Sequence, residues 1–312
     1  MAVAQQLKSL SHHISYVSGL SAVVARRQSC SRIIMYHGVS VKEAAWFSDQ
    51  LSYLSRNFRI VSLSDMLQQI RQHGGPSSEE VVLTFDDGLR NNFSVVYPLL
   101  KKFKTPATFF VCPGLITCGK WLWNHEARCR LLALGPERLK KLARHLSAPS
   151  HSVEGLIGWM KTLALKDRRR AEEFIVAASQ RFYPSPDQQS AYDIMNWEEL
   201  RALDPELVTI GSHTFTHPIL TTLHDDQLDF ELRESRRQLE EKLNRPAPYF
   251  CYPNGALDSR IHGAVQKYYA AAVTTESGTV SRTQTPDQHR LPRIPSADNM
   301  ALLAWRLHRP GA

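Results

Sequence analysis

Short apolar runs and amphipathic stretches take turns along this chain. Residues 33–36, 81–85, 107–111, 207–211, 249–252 and 270–274 are runs of four or five mostly apolar residues. Runs of that length, rich in Val, Ile, Thr and Phe and bounded by turn residues, predict strands buried on both faces. Residues 58–61 and 291–294 read as two further short strands. Residues 44–56, 225–243, 258–268 and 300–307 carry helical patterns. Ser64 reads as the N-cap of a helix reaching about Gln72 and closed by Gly74-Gly75. Asn91 or Asn92 reads as the cap of another that ends near Lys104.

The alternation breaks from about 114 to 196. No clear strand occurs there, and 137–148 and 167–180 are rich in helix formers. Eighty residues are too many for a plain loop, so the interval reads as a helical insertion. Strand–helix alternation elsewhere predicts an α/β fold with a parallel sheet closed into a barrel. The chain divides into an N-terminal helical extension over 1–30 and one barrel over 31–312. In such barrels chemistry gathers at the C-terminal ends of strands.

Composition narrows the picture. The chain has 312 residues, 43% of them hydrophobic, and a net charge of +8. The surplus of positive charge suits an acidic partner, but no nucleic-acid motif accompanies it, and a solvated basic surface accounts for it. The densest cluster, Lys166-Asp167-Arg168-Arg169-Arg170, reads as an exposed helix face. Most charges of the 225–243 helix read the same way. Five cysteines without a C-x-x-C pair argue against a disulfide framework and for a reducing, cytoplasmic setting. No window reaches the length of a membrane span, and the N-terminus lacks the pattern of a signal peptide. An amphipathic helix over 7–24 leaves peripheral membrane contact open.

Two strand ends carry the chemistry. Thr84-Phe85-Asp86-Asp87-Gly88 closes one, and Ser212-His213-Thr214-Phe215-Thr216-His217-Pro218 closes another. Asp-Asp-Gly by itself is also an ordinary turn, and most of the thirteen histidines have no special role. Together the segments offer one carboxylate and two imidazoles for a metal, with a second carboxylate to spare. His213 and His217 are four residues apart and share a face if the segment coils into a helical turn.

Those two segments resemble the first two motifs of the polysaccharide deacetylase family, the NodB-homology or carbohydrate esterase family 4 group. Tyr249-Phe250-Cys251-Tyr252-Pro253-Asn254-Gly255 is similar to its F-x-Y-P-x-G variant, and Met35-Tyr36-His37-Gly38-Val39 to the first strand of that subgroup. The resemblance spans about 31–295 and leaves the helical insertion unmatched. It implies a distorted (β/α) barrel and a divalent metal, usually zinc, on Asp87, His213 and His217. It further implies Asp86 as the base that takes a proton from the attacking water, with acetate leaving an N-acetylated sugar of a polysaccharide or glycolipid precursor. The Asn254 backbone N–H, beside Tyr252 and Pro253, would hold the developing oxyanion.

The chain departs from the family where many members carry an arginine in the third motif, at Cys251. Arg293, in Leu291-Pro292-Arg293-Ile294-Pro295, resembles the relocated arginine of the subgroup and would orient Asp86. A late Leu-x-His is absent apart from an echo at Leu307-His308, which leaves His37 as a candidate acid or substrate contact. Trp121, Trp123 and Trp197 are candidates for sugar stacking, although core packing explains any single one. Asn124 and His125 stand beside two of them. Two alternatives stay open: a hydrolase of non-sugar amides on the same fold, and a non-catalytic carbohydrate-binding barrel. The intact Asp86-Asp87 pair favours deacetylation.

Overall fold

Seven parallel strands close on themselves in this computed structural model, which describes residues 30–75, 79–281 and 285–308 together with His12, Tyr16 and Ser18. The expected N-terminal extension otherwise lies outside the described residues. In chain order come β1 (Cys30–Tyr36), α1 (Ala44–Asn57), β2 (Arg59–Ile60), α2 (Leu63–His73), β3 (Glu80–Phe85), α3 (Tyr97–Phe103) and β4 (Ala107–Val111). Seven helices follow: α4 (Pro113–Cys118), α5 (Trp123–Leu132), α6 (Pro136–His145), α7 (Val153–Met160), α8 (Leu165–Ala178), α9 (Pro186–Tyr192) and α10 (Trp197–Arg201). The alternation resumes with β5 (Val208–Ser212), α11 (Asp225–Leu243), β6 (Tyr249–Cys251), α12 (Ser259–Tyr268), β7 (Ala271–Ser277), β8 (Val280–Ser281), β9 (Leu291–Pro295) and α13 (Met300–His308).

The barrel runs β1-β3-β4-β5-β6-β7-β9 and back to β1, every pairing parallel. β2 lies parallel beside the start of β3, and β8 lies antiparallel to β1. Val81, Val82 and Leu83 are all fully buried, as strands covered on both faces require. Tyr36, Phe47, Phe85 and Phe109 interlock through stacked and edge-on contacts between 5.0 and 5.9 Å. Truncating any one of these phenylalanines to alanine would cost about 3–5 kcal/mol. Among the described residues no helix is long and apolar enough to cross a membrane.

Several local expectations shift. α2 is capped by Ser62, not Ser64: Ser62 and Asp65 form a reciprocal capping box, and Gly74 ends the helix at φ 75°. Neither Asn91 nor Asn92 caps α3. A π-helical turn over Asn92–Val96 leads into it, and the Asn91 side chain instead ties the loop after β1 to α9, accepting from Val39 N and donating to Ser190 C=O. The two-residue strand β8 was not anticipated, since its Val-Ser is too short to show a pattern.

Helices α5 to α8 surround their own small core of Trp123, Leu131, Leu142, Leu156, Ile157 and Ile175. The basic cluster 166–170 is not wholly exposed as expected. Arg168 is buried, lies over the Trp123 ring at 4.6 Å and pairs with Glu172 at 3.0 Å.

Candidate active site

β3 delivers Asp86 and Asp87 to the C-terminal rim. Asp86 N–H still donates to Tyr36 C=O at 3.0 Å, extending the sheet by one bond. The chain then turns away with Asp87 at φ 73° and Gly88 at φ 67°. Two successive left-handed residues reverse it within a single step, and only glycine does so without steric cost. Gly88 also passes so close to β4 that a Cβ there would stand 3.0 Å from Val111 Cγ1.

β5 delivers His213, whose N–H is held by Val111 C=O at 2.9 Å. The His213–His217 segment is not the helical turn its spacing suggested. Thr214 and His217 both take left-handed conformations, at φ 67° and 58°, and the segment forms a tight loop. Glu231 on α11 explains it. One carboxylate oxygen accepts from Phe215 N and Thr216 N, each at 2.8 Å, and the other from Thr216 Oγ1 at 2.6 Å. His217 N–H is taken up by Thr214 Oγ1 at 2.9 Å. These bonds replace the i→i−4 pattern a helical turn would have supplied.

Glu231 is therefore buried, contrary to the reading of α11 as carrying solvated charges. Its signal was in the sequence: Leu228, Glu231, Leu232, Ser235 and Leu239 fall on one buried stripe of the helix.

Asp87, His213 and His217 converge. Asp87 Oδ1 lies 3.5 Å from both His213 Nε2 and His217 Nε2. His213 Nδ1 donates to Cys251 C=O at 2.7 Å, which aims Nε2 at the shared point. Burial and the nearby His213 ring push the His217 pKa down to about 3, so this imidazole is neutral at physiological pH and offers a lone pair. Burial also works against a charge on His213, but Cys251 and the Asp87 and Asp86 carboxylates outweigh it and hold its pKa well up. A positive charge is thus wanted between these groups, and a divalent cation can take the place of that proton. Zinc ligands about 2.0–2.1 Å from a tetrahedral ion sit about 3.3–3.4 Å apart, close to the spacing here. The donor set fits the metal that the motifs imply.

Asp86 faces a different partner. Arg293, fully buried on β9, grips it with both terminal nitrogens, Nη1 to Oδ1 at 2.8 Å and Nη2 to Oδ2 at 2.7 Å. Arg293 is itself fixed by Thr274 C=O at 2.7 Å and Thr84 Oγ1 at 3.0 Å. Burial works against the Asp86 charge, yet the guanidinium prevails and holds its pKa below the usual carboxylate range. Cys251 sits between them: its Sγ is 3.1 Å from Arg293 Nη2 and 3.5 Å from Asp86 Oδ2.

The remaining candidates are spread around this centre. His37 stands exposed at the end of β1, near enough for its field to reach both aspartates. Tyr252 and Pro253 are buried. The Tyr252 hydroxyl donates to His289 C=O at 2.8 Å, so its side chain supports the turn and does not face the cleft. Asn254 alone of that trio is exposed, at φ 55°. Trp123 is buried and its indole N–H donates to His217 C=O at 3.2 Å, which makes it a brace of the histidine loop. Trp121 bonds Asp193 at 2.7 Å and Trp197 bonds Thr117 at 3.2 Å. His125 reaches in from α5, with Nε2 4.0 Å from Asp87 Oδ2 and its ring against Tyr192. α13 ends at His308, whose side chain lies outside the described residues.

A parallel (β/α) barrel with an Asp-Asp turn facing a histidine loop defines a class of amide hydrolases, and comparison with known proteins agrees. The polysaccharide deacetylase family model matches residues 73–273. The chain belongs to the polysaccharide deacetylase family and is a hydrolase acting on amide bonds. The Bacillus subtilis protein YxkH, which carries the polysaccharide deacetylase name, is 22% identical over 259 residues, 81% of this chain and 67% of that protein. Among solved structures, the Streptococcus pyogenes deacetylase PplD in complex with acetate superposes with a TM-score of 0.60 at 19% identity, covering 90% of this chain and 99% of that one. IcaB from Ammonifex degensii gives a TM-score of 0.57 at 17% identity over 90% and 98%. At such identities the structural likeness is one of fold.

Proposed function

We propose that this chain removes the acetyl group from an N-acetylated sugar of a polysaccharide or glycolipid precursor, with Asp87, His213 and His217 holding a divalent metal, zinc by preference. What supports this most is the convergence of those three side chains beside a carboxylate that is clamped separately by Arg293. A divalent cation at that place would acidify the attacking water and polarise the acetamide carbonyl.

Asp86 stays ionised at neutral pH because Arg293 holds its charge, and it accepts the proton of the water as the water attacks. Arg293 occupies one lone pair on each oxygen, which leaves the carboxylate fixed in orientation with acceptor capacity free. The backbone N–H of Asn254, on the exposed turn after β6, would meet the oxygen on which negative charge develops. His37, exposed at the mouth, is the group on hand to give a proton to the departing amine. The products are acetate and a free amino sugar. All five cysteines are free, which fits a reducing compartment.

The test is metal analysis of the purified full chain, followed by acetate release from chito-oligosaccharides with and without added zinc. About one metal per chain and zinc-dependent acetate release are expected. Bound metal with no acetate from any glycan would favour a non-sugar amide, and absence of metal would favour a binding barrel. Asp87→Ala, His213→Ala and His217→Ala should each lose both metal and activity.

A further inference from the structure

The helical excursion between β4 and β5 reaches the catalytic rim at one charged side chain. Lys161 follows α7, and its ammonium donates to Asn254 Oδ1 at 2.7 Å. A lysine closing a helix ordinarily serves that helix's own carbonyl end. This one crosses to the turn after β6 instead, 93 residues away in sequence. That turn begins just beyond Cys251, whose carbonyl orients the metal-site histidine His213.

The ammonium is half-buried, and its one side-chain partner among the described residues is a neutral amide. The nearby Arg128 is already spoken for, paired through two nitrogens with Glu154 at 2.7 and 3.0 Å. Burial first, and then the Arg128 guanidinium, lower the Lys161 pKa, and the Glu154 and Asp87 carboxylates offset them only in part. An amide oxygen is a weaker partner for an ammonium than an anion, so the bond to Asn254 leaves the stronger, doubly charged kind of contact unmade. Asn254 is exposed, so the place beside both groups opens to solvent.

We infer that Lys161 is a specificity residue: together with Asn254 it receives an anionic substituent, phosphate or carboxylate, carried by the N-acetylated sugar. This rests on the deacetylase reading above and narrows its substrate class to charged acetamido sugars. The excursion thereby adds an ammonium to what the barrel itself turns to this rim: the metal ligands, Asp86 and its arginine, His37 and neutral turn residues.

The experiment uses the zinc-loaded full chain and three probes: N-acetylglucosamine, N-acetylglucosamine 1-phosphate and N-acetylglucosaminuronic acid. Binding is read by calorimetry, and kcat and KM by acetate release. At least one charged probe should bind about tenfold more tightly than the neutral sugar, the gain appearing in KM and fading with salt. Which probe gains separates phosphate from carboxylate. Lys161→Gln should bring the charged-to-neutral ratio near one, Lys161→Arg should largely keep it, and Lys140→Gln, an equal change of charge elsewhere on the excursion, should leave it alone. Acetate released from all three probes with equal KM, or a preference that survives Lys161→Gln, would overturn the inference while sparing the deacetylase reading. A Lys161-dependent binding preference with no acetate from any probe would do the reverse.

Discussion

Replacing Arg293 by glutamine puts the central electrostatic argument at risk. The wild-type guanidinium makes two bonds to Asp86, and both residues are almost wholly buried, at 0% and 2% exposure. Without it the carboxylate has no cation to offset its desolvation. A buried ion pair broken on one side costs about 3–5 kcal/mol. The same size follows from the proton: an aspartate of ordinary pKa near 4 is neutralised at pH 7 for about 4 kcal/mol. The variant takes up that proton before it tolerates the bare charge. A chain of 312 residues has an unfolding entropy of about 0.65 kcal/mol/K, so Tm should fall by about 5–8 °C at neutral pH.

The sign of the pH dependence is the sharper check. In the wild type the Asp86 pKa is depressed, so its contribution is present above the unfolded value and is lost as pH falls through the folded one. In the variant burial acts alone and raises the folded pKa. Its penalty is then absent below the unfolded value and grows as pH rises toward the folded one. The stability gap between the two proteins should therefore be widest near pH 7.5 and narrow markedly by pH 4, in urea melts of the full chain. A gap below about 1 kcal/mol at pH 7.5, or one that stays constant on acidification, would show that Arg293 is not the counter-charge of Asp86.

Three other outcomes follow from the same geometry. Asp86→Asn should keep metal but lose turnover by about 10²–10⁴-fold, because only the proton acceptor is removed; full activity would refute its role as base. Glu231→Gln replaces an acceptor oxygen with a donor among three bonds that shape the histidine loop, and zinc affinity by calorimetric titration should weaken about 10–100-fold. An unchanged affinity would mean the loop holds its shape unaided. Gly88→Ala meets both a left-handed backbone and Val111 at 3.0 Å, so chemical denaturation should register a loss of about 1–3 kcal/mol; a change under about 0.5 would remove the steric argument.

What the one-dimensional pattern settled was whatever depends on periodicity and local chemistry. Ala107–Val111 and Asp225–Leu243 could be read from the residues themselves, the first as a short run rich in Thr and Phe bounded by turn residues, the second as a long charged helical pattern. Closure of seven strands decided the rest. It brings Arg293, 207 positions from Asp86, onto that carboxylate, and sets the Asp87 turn against a loop two strands away in the barrel. Helix packing, in turn, makes a glutamate from an apparently solvated helix the scaffold of the histidine loop, and an arginine from a basic cluster the cover of a buried tryptophan. Periodicity records which face of an element is apolar. Which group that face meets depends on neighbours from 15 to 207 positions away, and only the folded chain supplies them.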